Sequence, residues 1–192
     1  MSSIVINGDT SGSVTLSAPA VAGSTTLTLP TTSGTVLTNA STQSQLPSNI
    51  AGNGPAFSAS LSTTQSITSG VNTKVQFNTE QFDTANCFDN TTNYRFTPNV
   101  AGYYQINTCV RLRGTSSDNK LMYLRKNGSD YIALDFYVIS IEYFQIAASH
   151  VVYMNGSTDY LEVFVYTNGT NTSVISTSGL NTFFSGALIR GA

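Results

Sequence analysis

The feature that most constrains this chain is the series of short alternating segments that fills it from Ala56 onward. Apolar and polar residues alternate with a period of two, and no segment carries a sustained apolar stripe at the 3.6-residue period of a capped helix. Asn-Gly pairs at 127–128, 155–156 and 168–169 separate several segments, and this pair favours tight hairpin turns. The pattern predicts an all-β sandwich or barrel, and a two-sheet jelly roll suits this length.

The predicted strands of this region are short and numerous. Pro98 cannot donate to a sheet ladder and Gly102 can adopt a turn conformation closed to other residues, so we expect them to turn the chain into the strand beginning at Tyr103. Tyr103 and Tyr104 should then point to opposite faces. The predicted strands are Phe57–Leu61, Gln65–Ile67, Lys74–Phe77, Tyr94–Phe96, Tyr103–Leu112, Leu121–Lys126, Ile132–Phe144, Ala147–Met154, Tyr160–Tyr166, Ser173–Ser176 and Phe183–Ile189.

Composition excludes several classes of protein. Only 9% of the 192 residues are charged, against roughly 25% in an average soluble domain. A net charge of -2 with 40% hydrophobic residues argues against bulk disorder, and no basic stripe for nucleic acid is present. No stretch approaches the ~20 apolar residues that span a bilayer, so no membrane insertion is expected. Residues 1–6 lack the basic and apolar regions of a secretory signal, which predicts a chain that is soluble as made.

The first 39 residues differ from the rest of the chain in composition and pattern. Short apolar bursts at Val14–Leu16, Leu27–Leu29 and Val36–Leu37 alternate with Gly, Ser and Thr, and no aromatic residue occurs. Such a segment forms short strands and turns but has too little apolar bulk for its own core. We therefore predict a β arm over residues 1–39 that pairs with its own copies or docks on another protein, followed by a linker over 40–55. The candidate docking residues are Ile4, Val5, Ile6, Val14, Leu16, Leu27 and Leu29.

Several motifs lie between Phe57 and Ile189: "FSA" at 57–59, the "VQFN" strand at 75–78, "LRKNG" at 124–128 and the closing "FFSGALI" at 183–189. The pattern Phe-x-x-Pro-x-x-Gly-x-Tyr-x-Phe is matched by Phe96, Pro98, Gly102, Tyr103 or Tyr104, and Ile106. With these motifs, the region resembles a C1q-like globular domain of the C1q/TNF superfamily. The sequence departs from animal members in the "TPNVAG" spacing and in having no collagen stalk before the domain.

The resemblance implies a ten-stranded jelly-roll sandwich that assembles as a homotrimer. In that assembly the two termini lie together at the base and variable loops form the outer face. The arm, in turn, resembles the Thr/Ser/Gly-rich β arms of tailed-phage virion proteins. Together the two resemblances imply a homotrimeric C1q-like domain, over residues 56–192, that is attached to a phage particle by its arm.

The segment Ile132–Phe144 suggests a subunit interface. It is predicted as one strand with large apolar groups on both faces, and such a strand must be buried on both. Burial against neighbouring subunits is one explanation; a long central strand covered by a loop is the other. The candidates for trimer interface or core are Phe136, Tyr137, Ile139, Ile141, Tyr143, Phe144 and, from the last strand, Phe184.

The sequence contains little evidence for a catalytic site or a metal site. His150 lies in an alternating strand without a nucleophile or metal partner at a recognisable spacing, and the carboxylates are scattered over turns and strand faces. The loop "FDTANCFDN", with Asp83, Asp89 and Asn90, is the one acidic loop that suggests calcium. Cys87 and Cys109 either pair or are small buried side chains. No enzymatic activity, cofactor or catalytic residue is predicted.

These observations predict a structural protein of a phage virion, assembled in the host cytoplasm. The first hypothesis is a trimeric capsid decoration, cement or head-fibre protein whose partners are its own copies and the major capsid protein or another virion protein. The alternative is a short tail fibre or receptor-binding tip that recognises a host surface glycan or protein through the loops Thr115–Lys120, Gly128–Tyr131 and Thr167–Thr172. A secreted C1q-like ligand and a glycan hydrolase rank below both.

Overall fold

The computed structural model describes residues 3–17, 19–21, 23, 24, 26, 28, 31–33, 46, 50–138, 141–176 and 181–192. The chain divides into two compact units, Met1–Thr38 and Asn39–Ala192. The predicted bursts at Leu27–Leu29 and Val36–Leu37, and most of the predicted linker, lie outside the described residues.

The first unit contains an antiparallel hairpin of β1 (Ser3–Asn7) and β2 (Ser13–Ser17). Its register opposes Ile4 to Leu16 and Ile6 to Val14. Because side chains alternate along a strand, these four aliphatic groups share one face of the hairpin. The predicted strand around Val14 is confirmed, and it is accompanied by a partner strand that begins at Ser3.

The second unit is a sandwich of two antiparallel sheets. One has six strands in the order β11-β10-β13-β8-β7, with β5 also on β13; the other has seven in the order β4-β14-β9-β15-β3-β6, with β12 also on β9. Among the described residues this unit is all-β except for one 3-10 turn, Ala51–Asn53. The strands are β3 (Ala56–Ser60), β4 (Gln65–Ser66), β5 (Thr73–Lys74), β6 (Thr79–Asp83), β7 (Phe88–Asp89), β8 (Arg95–Phe96), β9 (Ala101–Arg113), β10 (Asp118–Lys126), β11 (Ser129–Val138), β12 (Tyr143–Asn155), β13 (Leu161–Thr167), β14 (Ser173–Val174) and β15 (Phe183–Gly191).

The core lies between the two sheets and is built on stacked aromatic rings. Phe57 stacks on Phe96 at 4.3 Å and on Phe88 at 4.9 Å between ring centroids, and it meets the edge of Phe184 at 5.0 Å. Tyr104 meets Phe96 edge-on and is fully buried. The rings come from both sheets, so this cluster joins the two layers.

The motif that begins β9 has the predicted strand geometry but a different reason for its glycine. Tyr104 is buried and its hydroxyl donates to the Val100 carbonyl at 2.7 Å, whereas Tyr103 is exposed, as predicted from alternation. Gly102 does not provide a turn, since it lies within β9. A Cβ at Gly102 would stand 2.4 Å from the Arg190 carbonyl oxygen. The close approach of β15 therefore requires the glycine.

The predicted strand Ile132–Phe144 is wrong. The chain leaves the six-stranded sheet at the end of β11, Val138, and enters the seven-stranded sheet at the start of β12, Tyr143. The large side chains of this segment belong to two strands in different sheets, so they do not cover both faces of one strand. β12 also continues through the break predicted between Phe144 and Ala147, and β6 and β7 were not predicted.

The two ends of the sandwich are distinct. At the terminal end, Leu188 N donates to the Pro55 carbonyl at 3.0 Å and Ala192 N donates to the Ala101 carbonyl at 3.1 Å. The chain therefore enters the sandwich and ends at the same edge, as the resemblance implied. The opposite, distal end carries the loops Thr115–Lys120 and Thr167–Thr172, which meet through the register Lys120↔Thr167.

One of the three predicted recognition loops is misplaced. The turn at Asn127-Gly128 joins the far end of β10 to β11, so Gly128–Tyr131 lies at the terminal end. There, Asn127 Nδ2 donates to Asp159 Oδ1 at 2.8 Å. The prediction failed because successive hairpin turns lie at opposite ends of a sheet. β10 runs from the distal end to the terminal end, so the turn that follows it cannot lie with the distal loops.

Candidate interaction surfaces

The outward side of the seven-stranded sheet is free of charge over its centre, and we call this surface the neutral face. Tyr103 packs beside Tyr153 at 5.4 Å between ring centroids. Gln105 Nε2 donates to Ser149 Oγ at 2.8 Å, which shows that the amides and hydroxyls bond to one another along the sheet. The residues of the neutral face are Tyr103, Gln105 and Asn107 of β9, Ala147, Ser149, Val151 and Tyr153 of β12, and Ser185 and Ala187 of β15.

A shallow depression of about 180 Å3 lies on this face. Its floor is formed by small residues of β15, Ser185, Gly186 and Ala187, and Phe82 of β6 forms part of its rim. Phe82 is 51% exposed, although it is a large apolar side chain. A surface of this kind, apolar and hollowed by small residues, can accept a side chain from a flat partner.

The lateral edge where β11 faces β12 is a second apolar surface, which we call the open edge. Phe136 of β11 and Phe144 of β12 meet at 5.3 Å between ring centroids, and Tyr131 meets His150 at 5.8 Å. Both strands are at the margin of their sheets, so these rings are only partly covered: Phe136 is 42% exposed. His150 therefore lies in an aromatic contact at an exposed edge.

The candidate interface residues differ in how far they are exposed. Phe184 is fully buried in the core. Phe136, Tyr137, Ile141 and Tyr143 are exposed, Phe144 is half-buried, and Ile139 lies outside the described residues. Their role between subunits stays a prediction. Sequence reasoning missed the neutral face, for which the signal was present: every second residue from Tyr103 to Asn107 is large or polar but uncharged.

The outward side of the six-stranded sheet differs in chemistry, and we call its centre the aromatic face. Tyr123 of β10 lies opposite Phe164 of β13, and Tyr166 follows two residues later on the same side. The Arg125 guanidinium lies 4.1 Å from the Phe164 ring centroid, and Lys74 Nζ lies 5.7 Å from it. The sequence signal was an aromatic residue at alternate positions of "MYLR" and "VFVY".

The distal loops are held together over a buried ion pair. Lys120 Nζ lies 2.6 Å from Asp118 Oδ1, and both side chains are completely buried. Thr167 Oγ1 donates to the other carboxylate oxygen of Asp118. Above this pair, Thr115 N donates to the Thr170 carbonyl at 3.0 Å, so the two loops form one ordered unit.

The carboxylates of the acidic loop accept hydrogen bonds from backbone amides of the same loop. Asp89 accepts from the amides of Thr92 at 2.8 Å and Thr91 and Asn93 at 3.0 Å, and these bonds hold its pKa well below the ordinary value. Asp83 accepts from the amides of Ala85 and Phe88. The part of the chain that the structure describes contains no group of three or more His, Cys, Asp or Glu side chains arranged for a metal ion.

The two cysteines are buried, and a cavity at the terminal end has an uncharged lining. Cys87 and Cys109 are buried and form no disulfide, and burial raises the pKa of the Cys87 thiol. A cavity of about 450 Å3 at the terminal end is lined by uncharged residues: Asn53, Gly54, Pro55, Thr84, Ala85, Asn99 and Val100. It therefore contains no acid–base pair.

The hairpin of the first unit is apolar on one face and uncovered within that unit. Ile4 is 65% exposed, Ile6 57%, Val14 62% and Leu16 52%. The only charged residue of the hairpin is Asp9 in its turn. Leu27 and Leu29, the other candidate docking residues, lie outside the described residues, and Val5 is on the opposite face. Within the described residues no helix is long and apolar enough to cross a membrane.

Comparison with solved structures places the sandwich among known folds. It is similar to the globular domain of zebrafish complement 1qA protein, at 17% identity and a TM-score of 0.54 over 72% of this chain and 99% of that one. It is similar to murine APRIL at pH 5.0, at 14% identity and a TM-score of 0.52 over 70% of this chain and 98% of that one. No family model and no curated protein matches the sequence. The similarities show a C1q/TNF-like fold, which confirms the predicted jelly-roll sandwich; the predicted number of ten strands is not confirmed.

Proposed function

We propose that this chain is a non-enzymatic, homotrimeric structural protein of a phage virion, most specifically a capsid decoration or cement protein. The arm attaches it to the particle and the C1q/TNF-like sandwich is displayed outward. The observation that carries the proposal is the arm hairpin, a separate unit whose four aliphatic side chains have no cover within that unit.

Two unlike surfaces on the sandwich support the trimer. The neutral face is hollowed by a shallow depression, whereas the open edge carries the exposed ring of Phe136 beside Phe144. When one patch of a subunit binds a different patch of the next subunit, the contact is head-to-tail. Such contacts form a closed ring if the rotation between neighbouring subunits divides a full turn evenly. Packing the open edge of one subunit on the neutral face of the next buries both surfaces, and three-fold closure matches the three-fold positions of capsid lattices.

The chemistry of the hairpin supports attachment by burial rather than by charge. The apolar face of one hairpin offers only four aliphatic groups, and an isolated two-stranded ribbon is marginal in water. Three such arms in one trimer bind together with a high effective concentration, so weak contacts combine by avidity. A trimer that bridges neighbouring capsomers in this way resists the pressure of packaged DNA.

Copy number on the particle tests the decoration role. Quantitative mass spectrometry of purified virions should find hundreds of copies per particle; a few tens or fewer would assign the protein to a tail or vertex. Deletion of residues 1–39 should leave a folded trimer that no longer binds capsids lacking the protein. Retained binding by that deletion would refute attachment through the arm.

The distal loops favour one second candidate function, a receptor-binding tip. Loops that display a binding surface must keep their shape, and here the buried Asp118–Lys120 pair fixes two of them as one unit. Recombinant sandwich, residues 50–192, should then block adsorption of the phage to its host. Loss of that block when Ser116 and Thr170 are replaced together would assign recognition to the distal end.

A further inference from the structure

The aromatic face carries side chains that could bind a ligand, and the proposed function does not involve them. Tyr123, Phe164 and Tyr166 are each half-buried, so each ring is held in place at its base and partly open above. The register places Leu121 between Tyr166 and Asp135, which brings a carboxylate to the margin of the rings. The face is therefore a row of fixed rings bordered by hydrogen-bonding groups.

The charges on this face are already matched, with one exception. Lys74 Nζ lies 2.5 Å from Glu162 Oε1 and Arg125 Nε lies 2.6 Å from Asp130 Oδ1. Asp135 is exposed and has no hydrogen bond or ion pair to any residue that the structure describes. What the face offers a ligand is ring surface, phenol hydroxyls and one free carboxylate.

The Tyr123 hydroxyl lies within the field of that carboxylate. Partial burial raises the pKa of Tyr123, and the charges of Asp130 and Asp135 raise it further. Tyr166 contributes in the same direction. The register agrees, because Tyr123 lies opposite both Phe164 and Ala133, and Asp135 follows Ala133 two residues later on the same side.

We propose that the aromatic face binds a neutral saccharide. The C–H faces of a sugar ring stack on aromatic rings, while its hydroxyls donate to a carboxylate and exchange bonds with phenols. Tyr123 and Tyr166 supply the stacking surface, Asp135 accepts from two hydroxyls, and Arg125 fixes the Phe164 ring beside them. This site lies on the outward face of the sheet, beside the distal loops, and does not depend on the virion role.

Other ligand chemistries fit the face less well. An anionic ligand, nucleic acid included, would meet the free Asp135 while Lys74 and Arg125 are paired. An apolar peptide would cover Asp135 without giving it a partner, which costs free energy. A hydroxyl-rich uncharged ligand satisfies both the rings and the carboxylate.

A printed array of oligosaccharides ending in hexoses, N-acetylhexosamines or sialic acids tests the proposal with the full-length protein. We expect binding to uncharged termini that persists in 0.5 M NaCl, because surface charge attraction is screened there. Tyr166→Ala and Asp135→Asn should each weaken it at least about tenfold, as expected for loss of an anchoring ring or of a bond to a charged group. Tyr166→Phe keeps the ring and should retain most of the binding.

The matched control is Tyr160→Ala, since Tyr160 immediately precedes β13 and its ring centroid lies 4.4 Å from the Arg95 guanidinium, outside the aromatic face. It should bind as the wild type does. Absence of binding to every uncharged saccharide overturns the proposal, as does equal binding by Tyr166→Ala and Asp135→Asn. Binding confined to sialylated termini and abolished by salt, or a change of molar mass in Tyr166→Ala, also overturns it.

Discussion

The outward faces of the two sheets carry different kinds of side chain. The neutral face combines alanine, serine and mutually bonded amides over a hollow of about 180 Å3. The aromatic face has rings, cations and carboxylates in paired ladders. Ion pairs and the charged ends of long side chains are well hydrated in solvent, and removing that water costs free energy. Removing water from small neutral groups costs less free energy. The difference is the one expected if the neutral face forms the proposed contact between subunits and the aromatic face does not.

The largest effect should come from breaking the ion pair beneath the six-stranded sheet. Lys120→Met leaves the Asp118 carboxylate buried without a counter-charge, and losing one partner of such a pair costs about 3–5 kcal/mol. Urea unfolding measures the loss. The double variant with Asp118→Asn should recover part of it because Asn still accepts from Thr167; no recovery would mean that the charge is not the cause.

A smaller loss should follow from filling the close approach within the seven-stranded sheet. In Gly102→Ala the new methyl group would overlap the Arg190 carbonyl oxygen, and overpacking of this kind costs about 1–3 kcal/mol. Gly52→Ala is the control, since a Cβ there has no heavy atom within 4 Å. Equal thermal stability of both variants would contradict the packing reason given for Gly102.

The smallest effect concerns acid stability and belongs to neither face. Asp89 has a pKa below its ordinary value of 3.8, chiefly because of the Thr92 amide. Its stabilisation is therefore complete above pH 3.8 and is lost as the pH falls toward the lowered pKa of the folded state. Asp89→Asn should cost about 1–2 kcal/mol near pH 7 and reduce the loss of stability between pH 5 and pH 2. Melting temperatures measured across this range test it; an unchanged acid slope would contradict the assignment.

Local sequence predicted what alternation and turn chemistry control. The opposite orientations of Tyr103 and Tyr104, the long β9 and the closing β15 were all accessible from a period of two. The crossing between the two sheets could not be predicted from the sequence. Apolar and polar residues alternate both before and after residues 139–142, and this pattern does not show that the two segments join different sheets. The aromatic face was also missed, since Tyr123 and Tyr166 become neighbours only through the register of β10 with β13.

The central claim is that the neutral face is covered by another copy of the chain and the aromatic face is not. Ala187 on the first and Ala133 on the second are both small and exposed, so each accepts arginine without disturbing the core. Light scattering should give three times 20.4 kDa for the wild type and for Ala133→Arg, and a single chain mass for a folded Ala187→Arg. An Ala187→Arg protein that keeps the trimer mass, or a monomeric wild type, would contradict the account.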